Sequence, residues 1–101
     1  RLQAVPRFPA SLRDLAIVVG EDVSHGSVSE RLKTSGGELL KSATLFDIYQ
    51  DAALVAEKKK SLAYSLVFRD LERTLNDEEV DKLFWDIVKD LETRFGAKIR
   101  G

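Results

Sequence analysis

Hydrophobic and polar positions along the chain follow two distinct periods. From Asp14 to Gly20 the β-branched and apolar series Leu15, Ala16, Ile17, Val18, Val19 is too short for a helix and ends at Gly, so it reads as a first strand. Ser27 and Glu30 form an S-x-x-E capping box, Val28 and Leu32 repeat at helical spacing, and Gly36-Gly37 offers a left-handed stop, which predicts a short helix. Leu39 to Gln50, with Thr44, Leu45, Phe46, Ile48 and Tyr49, favours a second strand, and Asp51 to Lys60 then turns the chain. Between Ser61 and Arg69 the alternation is clean: Leu62, Tyr64, Leu66 and Phe68 fall on one face, and Ser61, Ala63, Ser65, Val67 and Arg69 on the other. Asn76, with Glu79 three positions on, caps a last helix whose apolar stripe is Val80, Leu83, Phe84, Ile87, Val88, Leu91 and Phe95, closed by Gly96. Ala97 to Arg100 can add a final short strand.

The resulting order is β, α, β, β, α, β. Two helices cover one face of a four-stranded sheet, as the alternation of the third strand demands, so the expected fold is an α+β ferredoxin-like βαββαβ sandwich with an antiparallel sheet and both helices on one side. Pro6 and Pro9 mark residues 1–12 as an irregular lead-in, and residues 13–101 are expected to form the folded domain.

Composition narrows the chemistry. At 101 residues, 44% hydrophobic and 33% charged, the chain suffices for one core but not for the separate lobes of a large synthetic enzyme. The absence of Cys removes disulfides, thiolate metal sites and a cysteine nucleophile, and it points to a reducing, cytoplasmic setting. The longest apolar run, Leu15 to Val19, falls far short of the roughly 20 residues of a membrane span, and no leader-like segment opens the chain. No Met is present and Arg1 stands first, which suggests a piece of a longer polypeptide. Sixteen basic against 17 acidic residues give a net charge of −1, so bulk electrostatics would not hold nucleic acid, and only the local run Lys58, Lys59, Lys60 could meet phosphates.

Strand parity then selects the residues that face away from the helices. With Leu15, Ile17 and Val19 inward, Ala16 and Val18 lie outside; with Phe46 and Ile48 inward, Asp47 and Tyr49 share the open face with Ser61, Ala63 and Ser65. A tyrosine on a flat sheet can stack a base, and a carboxylate accepts from the N1–H and amino group of guanine but meets no such donor pair on adenine. Ala16 and Ala63 leave room for the ring.

The segments Arg13 to Val19, Phe46-Asp47-Ile48-Tyr49, Lys60 to Arg69 and Arg73 to Val80 resemble, in order and spacing, the anticodon-binding domain that ends the phenylalanyl-tRNA synthetase beta subunit. The resemblance spans Phe8 to Arg100, and it implies a non-catalytic domain whose open sheet face receives the anticodon of phenylalanine tRNA, chiefly its first base, a guanine. It implies that Tyr49 and Ala16 sandwich that base and that Asp47 and Ser61 hydrogen-bond to it; the run Lys58, Lys59 and Lys60 just before Ser61 is read from the sequence itself as able to meet phosphates at the sheet's rim. The resemblance further implies that aminoacylation, with ATP and Mg2+, proceeds on other domains, with no cofactor here. The implied partners are the rest of the beta subunit and the alpha subunit, with no membrane. The family usually carries Gly shortly after the Tyr and again before the Lys-Ser pair, whereas Asp51 to Lys60 contains none.

Other features invite less. His25 stands alone beside Gly26 and is given no role; Asp77, Glu78, Glu79 and Asp81 suit helix capping more than a metal. Trp85 is expected at the half-buried edge of the last helix, and Arg13 and Asp14 either pair with neighbouring charges or contact RNA. The alternatives are a small-ligand or dimerisation ferredoxin-like module, which would show an apolar pocket or a self-complementary edge, and a generic single-strand RNA binder, which would show two or three exposed aromatics on its central strands.

Overall fold

A computed structural model describes residues 8–100; the lead-in residues 1–7 and Gly101 lie outside the described part. The elements are β1 (Ser11–Gly20), α1 (His25–Gly36), β2 (Leu40–Tyr49), α2 (Ala52–Ala56), β3 (Lys59–Phe68), α3 (Asp77–Phe95) and β4 (Lys98–Ile99). The four strands form one antiparallel sheet in the order β2-β3-β1-β4, the βαββαβ arrangement expected, with α2 inserted between the middle strands. Strand β1 begins at Ser11, so the sheet already includes the last two residues expected to be irregular.

The alternation of β3 is realised throughout: Leu62, Tyr64, Leu66 and Phe68 are fully buried, together with Leu15, Ile17 and Val19 of β1. Val28 and Leu32 of α1 and Val80, Ile87, Val88 and Leu91 of α3 close the core above them, while Leu83, Phe84 and Phe95 pack at its margin. The Tyr64 hydroxyl lies in this layer, donating to the His25 carbonyl at 3.0 Å and accepting from the Ser29 hydroxyl at 3.4 Å. Arg31 of α1 binds Asp90 of α3 through two nitrogens, at 2.6 and 2.8 Å, and fixes one helix against the other. That paired guanidinium holds the Asp90 carboxyl below the usual range.

Helix α3 starts as expected, with the Asn76 side chain accepting from the Glu79 N–H at 2.8 Å and Glu79 accepting from the Asn76 N–H at 3.1 Å, and it ends at Gly96 in the left-handed region, φ 65°. Helix α1 starts three residues before the expected box. Ser24, not Ser27, is its cap and accepts from the Ser27 N–H at 3.1 Å, so His25 is the first residue of the helix rather than part of a loop. At its other end Gly36 is buried where a Cβ would strike the Leu40 side chain, and this close approach lets α1 sit down on β2.

Strand β2 departs from simple alternation. Leu45 pairs with Tyr64 and Asp47 with Ala63, which leaves Phe46 as an unmatched bulge residue. Phe46 is therefore 58% exposed instead of facing the core, and Ile48, although opposite buried Leu62, is 53% exposed on the edge strand β2. Neither residue joins the core cluster: the expected inward placement of Phe46 is corrected, whereas Ile48 keeps the expected facing by register but is left uncovered. Trp85, at 54% exposure, projects further into solvent than a half-buried boundary residue, its ring edge-on to Phe84 at 5.2 Å.

Candidate functional site

On the face opposite α1 and α3 the strand register sets out two rows of side chains. One row is Asp47, Ala63 and Ala16, from β2, β3 and β1; the next is Tyr49, Ser61, Val18 and Lys98, which continues onto β4. The four residues expected to contact a base, Ala16, Asp47, Tyr49 and Ser61, thus fall in adjacent rows on one face. Ala63 and Ala16 put no side chain beyond Cβ between Asp47 and the far edge, so a shallow slot runs beside the tyrosine across two strand spacings, about 10 Å.

The bulge at Phe46 makes this arrangement possible. Because the extra residue is absorbed there, Leu45 reaches the core side while Asp47 and Tyr49 both lie on the other. Tyr49 is 38% exposed, and its hydroxyl donates to Asp51 at 3.2 Å. Asp51 is also the cap of α2, accepting from the Leu54 N–H at 2.8 Å. That backbone bond, the Tyr49 hydroxyl and the charge of Arg100 hold the Asp51 carboxyl below its ordinary range, with desolvation opposing them.

One residue of the face escaped sequence reasoning. The N–H of Arg100 donates to the Ala16 carbonyl at 2.8 Å, continuing the β4 register by one position, so its side chain starts beside Ala16. From there it crosses β1 and β3: its guanidinium donates to Ser61 Oγ at 3.3 Å and lies 4.5 Å from the centre of the Tyr49 ring. Ser61 is consequently 2% exposed; it belongs to the open face by register but lies under Arg100 and is not open to solvent as parity alone suggested. The signal was the parity of Ala97 to Arg100, too short a segment to reveal a side chain reaching two strands away.

The lysine run is divided by the strand. Lys59 falls on the same side as Ser61, where its ammonium lies 3.6 Å from Glu57, whereas Lys60 pairs with Val19 and falls on the opposite side. Lys58 is the residue after the α2 cap and has φ 58°, the left-handed conformation that Gly usually supplies at such a position. Arg13 is committed to the protein, reaching Asp77 at 3.5 Å and Asp81 at 3.4 Å at the start of α3. Among the described residues no group of three or more His, Asp or Glu is placed to hold a metal ion, and no helix is long and apolar enough to cross a membrane. A hollow of about 300 Å³ lies on the helical side, lined by Ser27, Glu30, Arg31, Thr34, Arg94 and Phe95. Its charged and hydroxyl lining, with Arg31 already bound to Asp90, does not resemble the apolar pocket of a small-ligand module.

The ferredoxin-fold anticodon binding domain model matches residues 6–100. The chain is 44% identical over 97 residues to the phenylalanine–tRNA ligase beta subunit of Bacillus cereus, 46% over 99 residues to that of Halalkalibacterium halodurans, and 43% over 101 residues to that of Geobacillus kaustophilus. These alignments cover 96%, 98% and 100% of the chain but only 12% of each relative's length.

Proposed function

Because the chain belongs to the ferredoxin-fold anticodon binding domain family, we propose that its open sheet face binds the anticodon of phenylalanine tRNA as the recognition part of a phenylalanine–tRNA ligase beta subunit. The first anticodon base, a guanine, enters beside Tyr49. The tyrosine stacks on one side and the flat Ala16 stretch of β1 bounds the other, while Asp47 accepts from N1–H and the amino group and Ser61 supplies a hydroxyl. Lys59, with Lys58 beside it, meets the phosphate backbone at the rim, and Lys60, turned to the other side of the sheet, does not. Amino-acid activation and transfer, with their ATP and Mg2+, belong to the rest of the beta subunit and the alpha subunit, and this chain supplies no reacting group.

The single observation that carries the reading is the pair of adjacent rows that bring Ala16, Asp47, Tyr49 and Ser61 to one face. A one-residue slip in any strand would have turned one of them under. Fluorescence anisotropy with anticodon stem-loops carrying guanine or adenine at the first position tests it. Guanine is expected to bind more tightly. Asp47→Asn, which loses the charged acceptor, is expected to reduce that preference by roughly tenfold or more. Equal affinity of the unaltered chain for both loops would refute the reading.

A further inference from the structure

The slot assigned to the base is already occupied in the free chain. Arg100 bonds Ala16 through its backbone N–H, and its guanidinium lies against the Tyr49 ring and donates to Ser61, so the guanidinium meets two of the four residues proposed to hold the purine and the backbone a third. A guanidinium is planar, stacks on aromatic faces and carries hydrogen-bond donors along its edge, so it satisfies the tyrosine face and the serine hydroxyl as a nucleobase would. The Asp51 carboxylate, bonded to the Tyr49 hydroxyl, adds a favourable charge at the same place.

We infer that Arg100 is a placeholder in the base site: it keeps Tyr49 and Ser61 set in their binding geometry and is displaced when a base enters between Tyr49 and Ala16. This rests on the base-binding reading given above. Two consequences separate a placeholder from a base-reading arginine. Displacement costs the same whichever base arrives, so removing the guanidinium tightens guanosine and adenosine by one common factor and leaves their ratio unchanged. An arginine that read guanine would instead weaken guanosine selectively when removed. Nucleosides are the appropriate probe, because they carry no phosphate and so are insensitive to the loss of positive charge that would weaken any RNA.

An exposed cation–π contact corresponds to roughly a two- to fivefold change in affinity, and Arg100→Ala is expected to tighten both nucleosides by about that factor. Arg100→Gln, which keeps a polar chain without the charge, should follow it. The direct readout is the Arg100 Nε–H resonance of the 15N-labelled chain, which ring-current shielding by Tyr49 displaces. On titration with guanosine it should move toward the position of a solvent-exposed arginine in step with the Asp47 and Tyr49 amides. If those amides respond while Arg100 does not move, or if Arg100→Ala binds guanosine no more tightly, the placeholder role is overturned and base binding stands. If guanosine perturbs neither Asp47 nor Tyr49, the base site itself is wrong and the inference falls with it.

Discussion

Truncating Tyr49 to Ala separates the work of the ring from the work of the sheet that carries it. In the free chain the side chain is 38% exposed, and its specific contacts are the Arg100 stack at 4.5 Å and the hydrogen bond to Asp51 at 3.2 Å. An exposed cation–π contact contributes about 0.5–1 kcal/mol and a partly solvated hydrogen bond a similar amount, so the variant should lose about 1–2 kcal/mol of stability. For a domain of this size that lowers Tm by roughly 5–15 °C, and a domain with an ordinary 5 kcal/mol or more of stability stays folded. Binding should suffer more. A stacked base contributes about 1–3 kcal/mol, which is a loss of roughly 5- to 150-fold in affinity for a guanine-first anticodon stem-loop. Tyr49→Phe keeps the ring and loses only the phenol bond to Asp51, so its affinity should stay within about twofold of the original. Anisotropy titration gives the affinities, and differential scanning calorimetry confirms folding. Equal weakening by the Ala and Phe variants, or undiminished binding by the Ala variant, would refute stacking as the source of affinity.

Three further outcomes test other parts of the structure. Lys58→Gly relieves the left-handed backbone at φ 58°; the strain removed less the added freedom of the unfolded chain leaves a gain of about 0.5–1 kcal/mol, seen as a higher Tm. Tyr64→Phe removes the buried hydroxyl that binds the His25 carbonyl and should cost about 1 kcal/mol of stability, with unchanged affinity for RNA because Tyr64 faces the helices. The Arg73 guanidinium and the Asn76 N–H hold the Glu79 carboxyl down to about 2. A depressed acid stabilises the folded state above its ordinary value near 4.5 and loses that contribution as pH falls toward 2, so Glu79→Gln should melt below the unaltered chain at pH 7 and the gap should close in acid. A gap independent of pH would contradict that ion pair's contribution.

The parts of the fold legible in sequence are those whose spacing has one physical solution. The alternation of Leu62, Tyr64, Leu66 and Phe68 and the stripe of α3 with its Asn76 cap appear in the structure as the sequence implies. The start of α1 was misplaced because Ser24 and Ser27 are both competent caps, and nothing in composition favours the one whose hydroxyl receives the Ser27 N–H. Helix α2 was missed because five apolar residues cannot show a helical period, although Asp51 followed by Leu54 contained its cap. The bulge at Phe46 carries no Gly or Pro to mark it; it arises because Leu45 and Asp47 require opposite faces with one residue too many between them. The shared face of the four residues proposed to hold the base could be counted from strand parity, but Arg100 could not, since its contact with Tyr49 depends on a side chain that spans two neighbouring strands.

The register of β2 shifts at Lys41 and again at Phe46, and each unmatched residue makes the strand tolerant of a length change at that point. Deleting Phe46 would leave Leu45 opposite Tyr64 and Asp47 opposite Ala63, so the segments before and after it would keep their facing, as two pipes do across a slip joint. The same deletion at Ile48 has no slack to consume, and the phenol would rotate beneath the sheet. Indels are therefore admissible in this edge strand only upstream of the aspartate, and a library built on the domain can vary its length there without disturbing what the far end presents.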